Sequence, residues 1–222
     1  MKKKTRLTIF IGLGLIATLG LVVAIPFAIL GIKTYQLKTD YSYLKEEVQY
    51  QEKVEIVDLE LVTQHVSCGY ASIEMISKYY GKTVTEDELD ARNGAVSTAS
   101  TNGFLKEINK STPSKTFVKE TYLKHDELLK SIYQSLKNDN PVAIEWAAKY
   151  ENEWTLHFSV ISALDLKNDN VTIYNPYGYI ENVTTEEFIN RTSFKAYERM
   201  PLFLKFGFAF GAFDKNIIFY AK

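Results

Sequence analysis

From Leu7 to Ile32 the chain carries no charged residue. That run of 26 positions is rich in Leu, Ile, Val, Ala and Gly. About 20 residues of helix, at a rise of 1.5 Å each, suffice to cross a bilayer core. Lys2, Lys3, Lys4 and Arg6 precede the run and Lys33 follows it, with no acidic residue among the first 33. The positive-inside rule then places the N-terminus in the cytoplasm and everything after Lys33 outside the cell. A cleaved signal peptide fits less well, because its apolar region spans only roughly 7–15 residues. The small-residue segment Val22-Val23-Ala24 also runs straight into Ile25-Pro26, a poor cleavage context. The expectation is an uncleaved signal anchor in the cell membrane: a tail over 1–6, a transmembrane helix over 7–32, a stalk over 33–53 and an extracytoplasmic domain over 54–222. No cysteine lies near the N-terminus to take a lipid.

Hydrophobic residues make up 46% of the chain and aromatics 14%, enough for a packed core. With five of the 26 basic residues used up at the N-terminus, the rest sets 21 basic against 27 acidic residues, a net of −6. It holds no basic patch or nucleic-acid motif, so no nucleic-acid partner is expected. Within the stalk, Tyr35, Leu37, Tyr41, Leu44 and Val48 recur at loosely helical intervals, which a helical stalk and a flexible linker fit equally. Val54 to Leu61 alternates apolar and acidic residues and reads as an extended segment.

Cys68 is the only cysteine, so it forms no internal disulfide. Ser67 before it is a good N-cap, Ala71, Met75, Ile76 and Tyr79 lie on one helical face, and Gly81 supplies the stop. The thiol therefore sits at the first helical position, where unpaired amide N–H groups and the helix dipole favour an anion and lower a thiol pKa. Gln64 lies four residues upstream. Further on, Thr85-x-x-Glu88 forms a capping box and opens a short helix. A loop is expected over Asn93–Thr101, one helix from Asn102 to Ser111, and another opening at His125, which reads as a surface residue.

Three strands follow: Pro141–Trp146, His157–Leu164 and Val171–Asn175, the last two joined by the turn Lys167-Asn168-Asp169-Asn170. In that hairpin His157 and Asn175 lie toward the same end, where a side-chain carbonyl could orient the imidazole. A turn centred at 168–169 sets His157 opposite about residue 180. A shorter turn or a bulge is needed to bring it to Asn175, and Asn175 also suits the opening of the turn Asn175-Pro176-Tyr177-Gly178. His65 is the other histidine near Cys68 in sequence, in the entering loop. No metal-ligand spacing is present, and no cofactor is implied.

Gln64-x3-Cys68-Gly69-x-Ala71-Ser72, the helix ending in Tyr79-Tyr80-Gly81, and then Asn140-Pro141-Val142, His157-Phe158-x-Val160-Ile161 and Asn175-Pro176-Tyr177-Gly178 resemble the C39-like cysteine peptidases. These are papain-like proteins related to the leader-processing domains of bacteriocin exporters. The resemblance implies an α+β papain-like fold, with an N-terminal helix carrying the cysteine and an antiparallel sheet carrying His and Asn. It implies Cys68 as nucleophile, His157 as base, Asn175 as orienting residue and Gln64 as oxyanion donor, acting on a peptide or protein substrate. Ser67 stands where the export peptidases usually have Asp, Gln64 is closer to the cysteine than in many relatives, and no ATP-binding cassette is present. These departures bear on the double-glycine leader as substrate more than on the chemistry. A transpeptidase, with an amine in place of water, and a non-catalytic binding module are the rival readings. In the tail, Phe206, Phe208 and Phe210 alternate with Gly207, Ala209 and Gly211 at a strand-like period, closing the core or forming an aromatic surface for a bilayer or partner. Ile217–Tyr220 reads as a closing strand.

Overall fold

The computed structural model describes residues 2–94, 100–195 and 200–222, with side-chain surroundings for residue 18 and, within those ranges, from residue 20 onward. Helix α1 runs Lys2–Gln36, and its apolar stretch begins among residues whose side chains lie outside that description. Among the described residues no helix is long and apolar enough to cross a membrane, so the span expected over 7–32 is not carried by the structure. Residues 37–53, expected as a stalk, lie against the domain. Leu37 and Leu44 are buried, and two short 3-10 turns, Ser42–Lys45 and Val48–Tyr50, carry the chain to strand β1, Val54–Glu55.

The domain is α+β. Helices α2 (Cys68–Tyr79), α3 (Glu86–Asn93), α4 (Thr101–Ser111) and α5 (His125–Lys137) precede most of the sheet, with β2 (Phe117–Glu120) between the last two. The remainder is β3 (Val142–Tyr150), β4 (Glu153–Asp165), β5 (Asn170–Asn175), β6 (Tyr179–Val183), α6 (Thr185–Thr192), α7 (Leu202–Ala209) and β7 (Ile217–Ala221). The strands form one antiparallel sheet in the order β2-β7-β3-β4-β5-β6, with β1 also paired to β4. Val142 to Ala148 of β3 are buried without a break, because helices cover both faces of this central strand. The main core lies between the sheet and α2, α4 and α5. A smaller one gathers Leu30, Ala147, Phe194, Leu204 and Phe208 beneath α1 and α7.

Local signals place most of these elements. Ser67 caps α2 by accepting from the Tyr70 N–H at 3.1 Å, worth about 1 kcal/mol. Thr85 and Glu88 form the expected capping box, and Gly81 takes the positive φ that ends α2. The expected loop over Asn93–Thr101 falls largely on 95–99, outside the described residues. Over 206–211 the outcome differs from expectation: Leu202–Ala209 is a helix, not a strand. Leu204 and Phe208 share its buried face, and Phe206 stacks on Phe210 at i, i+4. The Phe/Gly alternation satisfies a period of two without forming a ladder.

Candidate active site

The hairpin brings His157 to Asn175 by a bulge. The turn pairs Asp165 with Asn170, and the ladder then slips at Ser162, so that Val160 faces Tyr174. Continued outward, this register sets His157 opposite residue 177. Asn175 is then its diagonal neighbour on the same face, within reach of a long side chain. The His157 Nε2–H donates to Asn175 Oδ1 at 2.8 Å. The other end of the amide donates from Nδ2 to Glu181 Oε2 at 3.1 Å, and Oδ1 also accepts from the Tyr177 N–H at 3.0 Å. An amide held at both ends can present only its oxygen to the ring, which fixes the proton on Nε2 and leaves Nδ1 as the acceptor. Asn175 opens the turn as well, its carbonyl accepting from the Gly178 N–H. The Tyr177 ring stacks on the imidazole at 4.0 Å between centroids.

Because the β4–β5 ladder stops at Val160, the edge of β4 is open at Phe158. There α2 sets its first residue, and the Phe158 N–H donates to Cys68 Sγ at 3.4 Å. Among the described residues no hydrogen bond joins Cys68 to His157. The thiol keeps partial exposure but sits in protein, and burial pushes its pKa up to about 11, against the pull of the Phe158, Gly69 and Cys68 N–H groups. The helix terminus alone was expected to lower it; desolvation wins. Burial likewise pushes His157 down to about 4. At neutral pH the pair is thiol and neutral imidazole.

Gln64 enters the same site. Its N–H donates to the Pro176 carbonyl at 2.7 Å, and its side-chain amide makes no hydrogen bond among the described residues, with Oε1 buried. It borders a cleft of about 560 Å³ walled by Tyr150, Asn152, Thr155 and Tyr177. His65 does not join the site. It lies exposed between Glu86 at 2.8 Å and Asp87 at 2.7 Å, and the Asp87 hydrogen bond raises its pKa. His125 is half-buried at the start of α5, where its backbone N–H donates to the Leu37 carbonyl, and desolvation lowers the pKa of its ring.

Three carboxylates that sequence reasoning passed over support this geometry. Fully buried Glu86 accepts from the N–H groups of His65 and Val66 at 2.9 Å, tying the loop before Cys68 to α3. Glu181 anchors the Asn175 amide and pairs with Arg191. Glu145 lies buried close enough to Cys68 to raise its pKa, with Oε2 unpartnered among the described residues. Glu86 and Glu181 have polar neighbours in sequence and only tertiary contact reveals them, whereas Glu145 is a lone charge in the apolar run Val142–Ala148, the one signal that could have marked it. Among the described residues no group of three His, Cys, Asp or Glu is placed to hold a metal ion.

Burial pushes Glu145 up to about 8, from an ordinary 4.5. Between those values the unfolded chain releases a proton that the folded chain keeps, so stability falls as pH rises. Glu145→Gln removes this loss. The stability gap between variant and wild type should widen by roughly 3 kcal/mol between about pH 5 and pH 7.5. Urea unfolding at the two pH values measures it; a constant gap would show that Glu145 is ionised in the fold.

Residues 45–201 match the Peptidase_C39 like family. A match over that much of the sequence identifies the class: this chain belongs to the C39-like peptidase family, a family of cysteine-peptidase-like domains. Among solved structures it is similar to a double glycine motif protease from an AMS/PCAT transporter in complex with the leader peptide. That likeness has a TM-score of 0.48 at 17% identity and covers 75% of this chain and 93% of that one. No curated protein matches.

Proposed function

We propose that this chain is a membrane-anchored cysteine peptidase, its N-terminus cytoplasmic, residues 7–32 spanning the bilayer, residues 33–53 joining the span to the domain, and the domain of 54–222 outside the cell. The observation that carries the chemistry is the 2.8 Å bond from His157 to Asn175, beside a cysteine at the first position of a helix. The anchor rests on the 26 uncharged residues and the basic cluster before them.

The reaction follows from the protonation states. His157 Nδ1 takes the thiol proton as Cys68 Sγ attacks the scissile carbonyl, and the imidazolium is held by Asn175. The oxyanion receives the Gln64 side-chain N–H and the Cys68 backbone N–H. The tetrahedral intermediate collapses, the leaving amine takes the proton from His157, and an acyl-thioester remains. Water, deprotonated by the same nitrogen, then releases the acid and restores the thiol. Gln64→Ala should lower kcat about 10²–10³-fold with little change in KM, the signature of a donor used only in the transition state. Steady-state kinetics on a fluorogenic peptide give the split, and an effect confined to KM would remove Gln64 from the oxyanion hole.

The geometry of the thiol favours a second reading, a non-catalytic peptide-binding module: among the described residues no hydrogen bond joins it to the imidazole, and burial pushes it up to about 11. The deciding experiment is labelling of the full chain by a peptide-based thiol electrophile between about pH 6 and pH 8. A peptidase is labelled at Cys68 in a His157-dependent manner. Folded protein that stays unlabelled is the binding module.

A further inference from the structure

Helix α7 packs on α1, with Phe206 edge-on to Phe27 at 5.6 Å. Its inner residues Leu204 and Phe208 are buried, while Leu202, Phe203 and Phe210 are exposed by more than half. On α1, Leu21, Val22, Ile25 and Ile29, spaced along one helical face, are exposed to a similar degree. Both of these packed helices thus present apolar side chains to the outside. Lys205 is the only charge in α7, on a stem long enough to reach out of an apolar layer.

The contact falls at a telling level. Phe27 lies five residues before Ile32, the end of the uncharged run, which is roughly 7.5 Å along the helix. Interfacial helices sit about 5–10 Å into the boundary between headgroups and acyl chains. At the same level and just above it, a cavity of about 460 Å³ opens between α1, the end of α6 and the segment before β7. Phe27, Leu30 and Phe194 line its apolar part; Lys38, His125, Lys195 and Lys215 line its polar part, and among the described residues no carboxylate does. Lys215, only 4% exposed, lies in the wall of the cavity with its ammonium over the Phe208 ring. An apolar floor under converging cations is complementary to one amphiphile, an anionic phospholipid.

We propose that α7 lies in the membrane interface beside α1, with Leu202, Phe203 and Phe210 among the acyl chains, and that the cavity bounded by Lys38 and Lys195 receives the phosphate of an anionic phospholipid headgroup. The proposal rests on the reading of α1 as a membrane span.

The test uses the full chain in nanodiscs of phosphatidylcholine, with or without phosphatidylglycerol. Phe203→Trp, an exposed site that tolerates the larger ring, should be strongly quenched by lipids brominated on the acyl chains, whereas wild type, with Trp146 buried and Trp154 half-buried, should be quenched far less. Lys38→Gln/Lys195→Gln should lower the preference for retaining phosphatidylglycerol over phosphatidylcholine roughly tenfold or more, read by native mass spectrometry. Inorganic phosphate should not displace the retained lipid. Release of the chain from membranes by alkaline carbonate would overturn the span itself. A chain that stays embedded while Phe203→Trp is quenched no more than wild type overturns the interfacial helix alone. An unchanged lipid preference in the double variant, or displacement by free phosphate, overturns the headgroup site.

Discussion

Cys68→Ala is expected to abolish peptide hydrolysis, and His157→Ala to lower kcat/KM by about 10³-fold or more, with the double variant no worse than Cys68→Ala alone. The magnitude follows from the burial of the pair. A thiol pushed up to about 11 supplies almost no thiolate at neutral pH, so nearly all reactivity depends on a base that removes the proton as attack begins. His157, pushed down to about 4 when free, stays neutral and able to accept at every physiological pH. The alkylation rate of Cys68 should therefore keep rising with pH in His157→Ala, following the bare thiol, and be far less pH-dependent in wild type. Stopped-flow alkylation across about pH 6–10 measures both profiles. Identical profiles would show that His157 does not serve the thiol. Peptide substrates report the hydrolysis, and circular dichroism establishes that each variant is folded.

How much of this was legible in the sequence depends on the range of the interaction. The helix bearing Cys68, its Ser67 cap and its Gly81 stop follow from neighbours within four residues, and so does the Thr85–Glu88 capping box. The strands β3, β4, β5 and β7 follow from apolar runs bounded by turn residues. The register that brings His157 to Asn175 did not follow, because it depends on one extra residue at Ser162, and nothing in Ser162 or its neighbours marks a bulge. The roles of Glu86, Glu145 and Glu181 were hidden for the same reason: each acts on a residue brought near by the fold. The thiol shows that a correct local argument can be outweighed. The helix terminus and its N–H groups do favour the anion, but the fold closes round the thiol and desolvation dominates. Helix α7 shows the opposite failure, in which a two-residue alternation was real but the burial of Leu204 with Phe208 decided the structure.

Arg191→Met should cost about 3–5 kcal/mol, because it leaves the Glu181 carboxylate in a mostly buried site without its counter-ion. Arg191 is 5% exposed. Its Nε–H donates to the Ala147 carbonyl at 2.8 Å, its guanidinium lies 3.5 Å over the centre of the Trp146 ring, and it pairs with Glu181 through both terminal nitrogens. The thermal midpoint should fall by on the order of 10 °C. The same pair fixes the orienting amide, since Glu181 receives the Asn175 Nδ2–H. Stability and activity can therefore be separated. In Arg191→Met/Glu181→Leu no buried charge is left alone, so much of the lost stability returns. The Asn175 amide, however, has lost the partner that kept its oxygen toward His157. The double variant should melt closer to wild type than Arg191→Met does and still show a lower kcat, with KM nearly unchanged. Calorimetry and kinetics on the same preparations decide it. A double variant that recovers both stability and kcat would reduce the Glu181–Arg191 pair to a structural role and leave the orientation of Asn175 to its own turn.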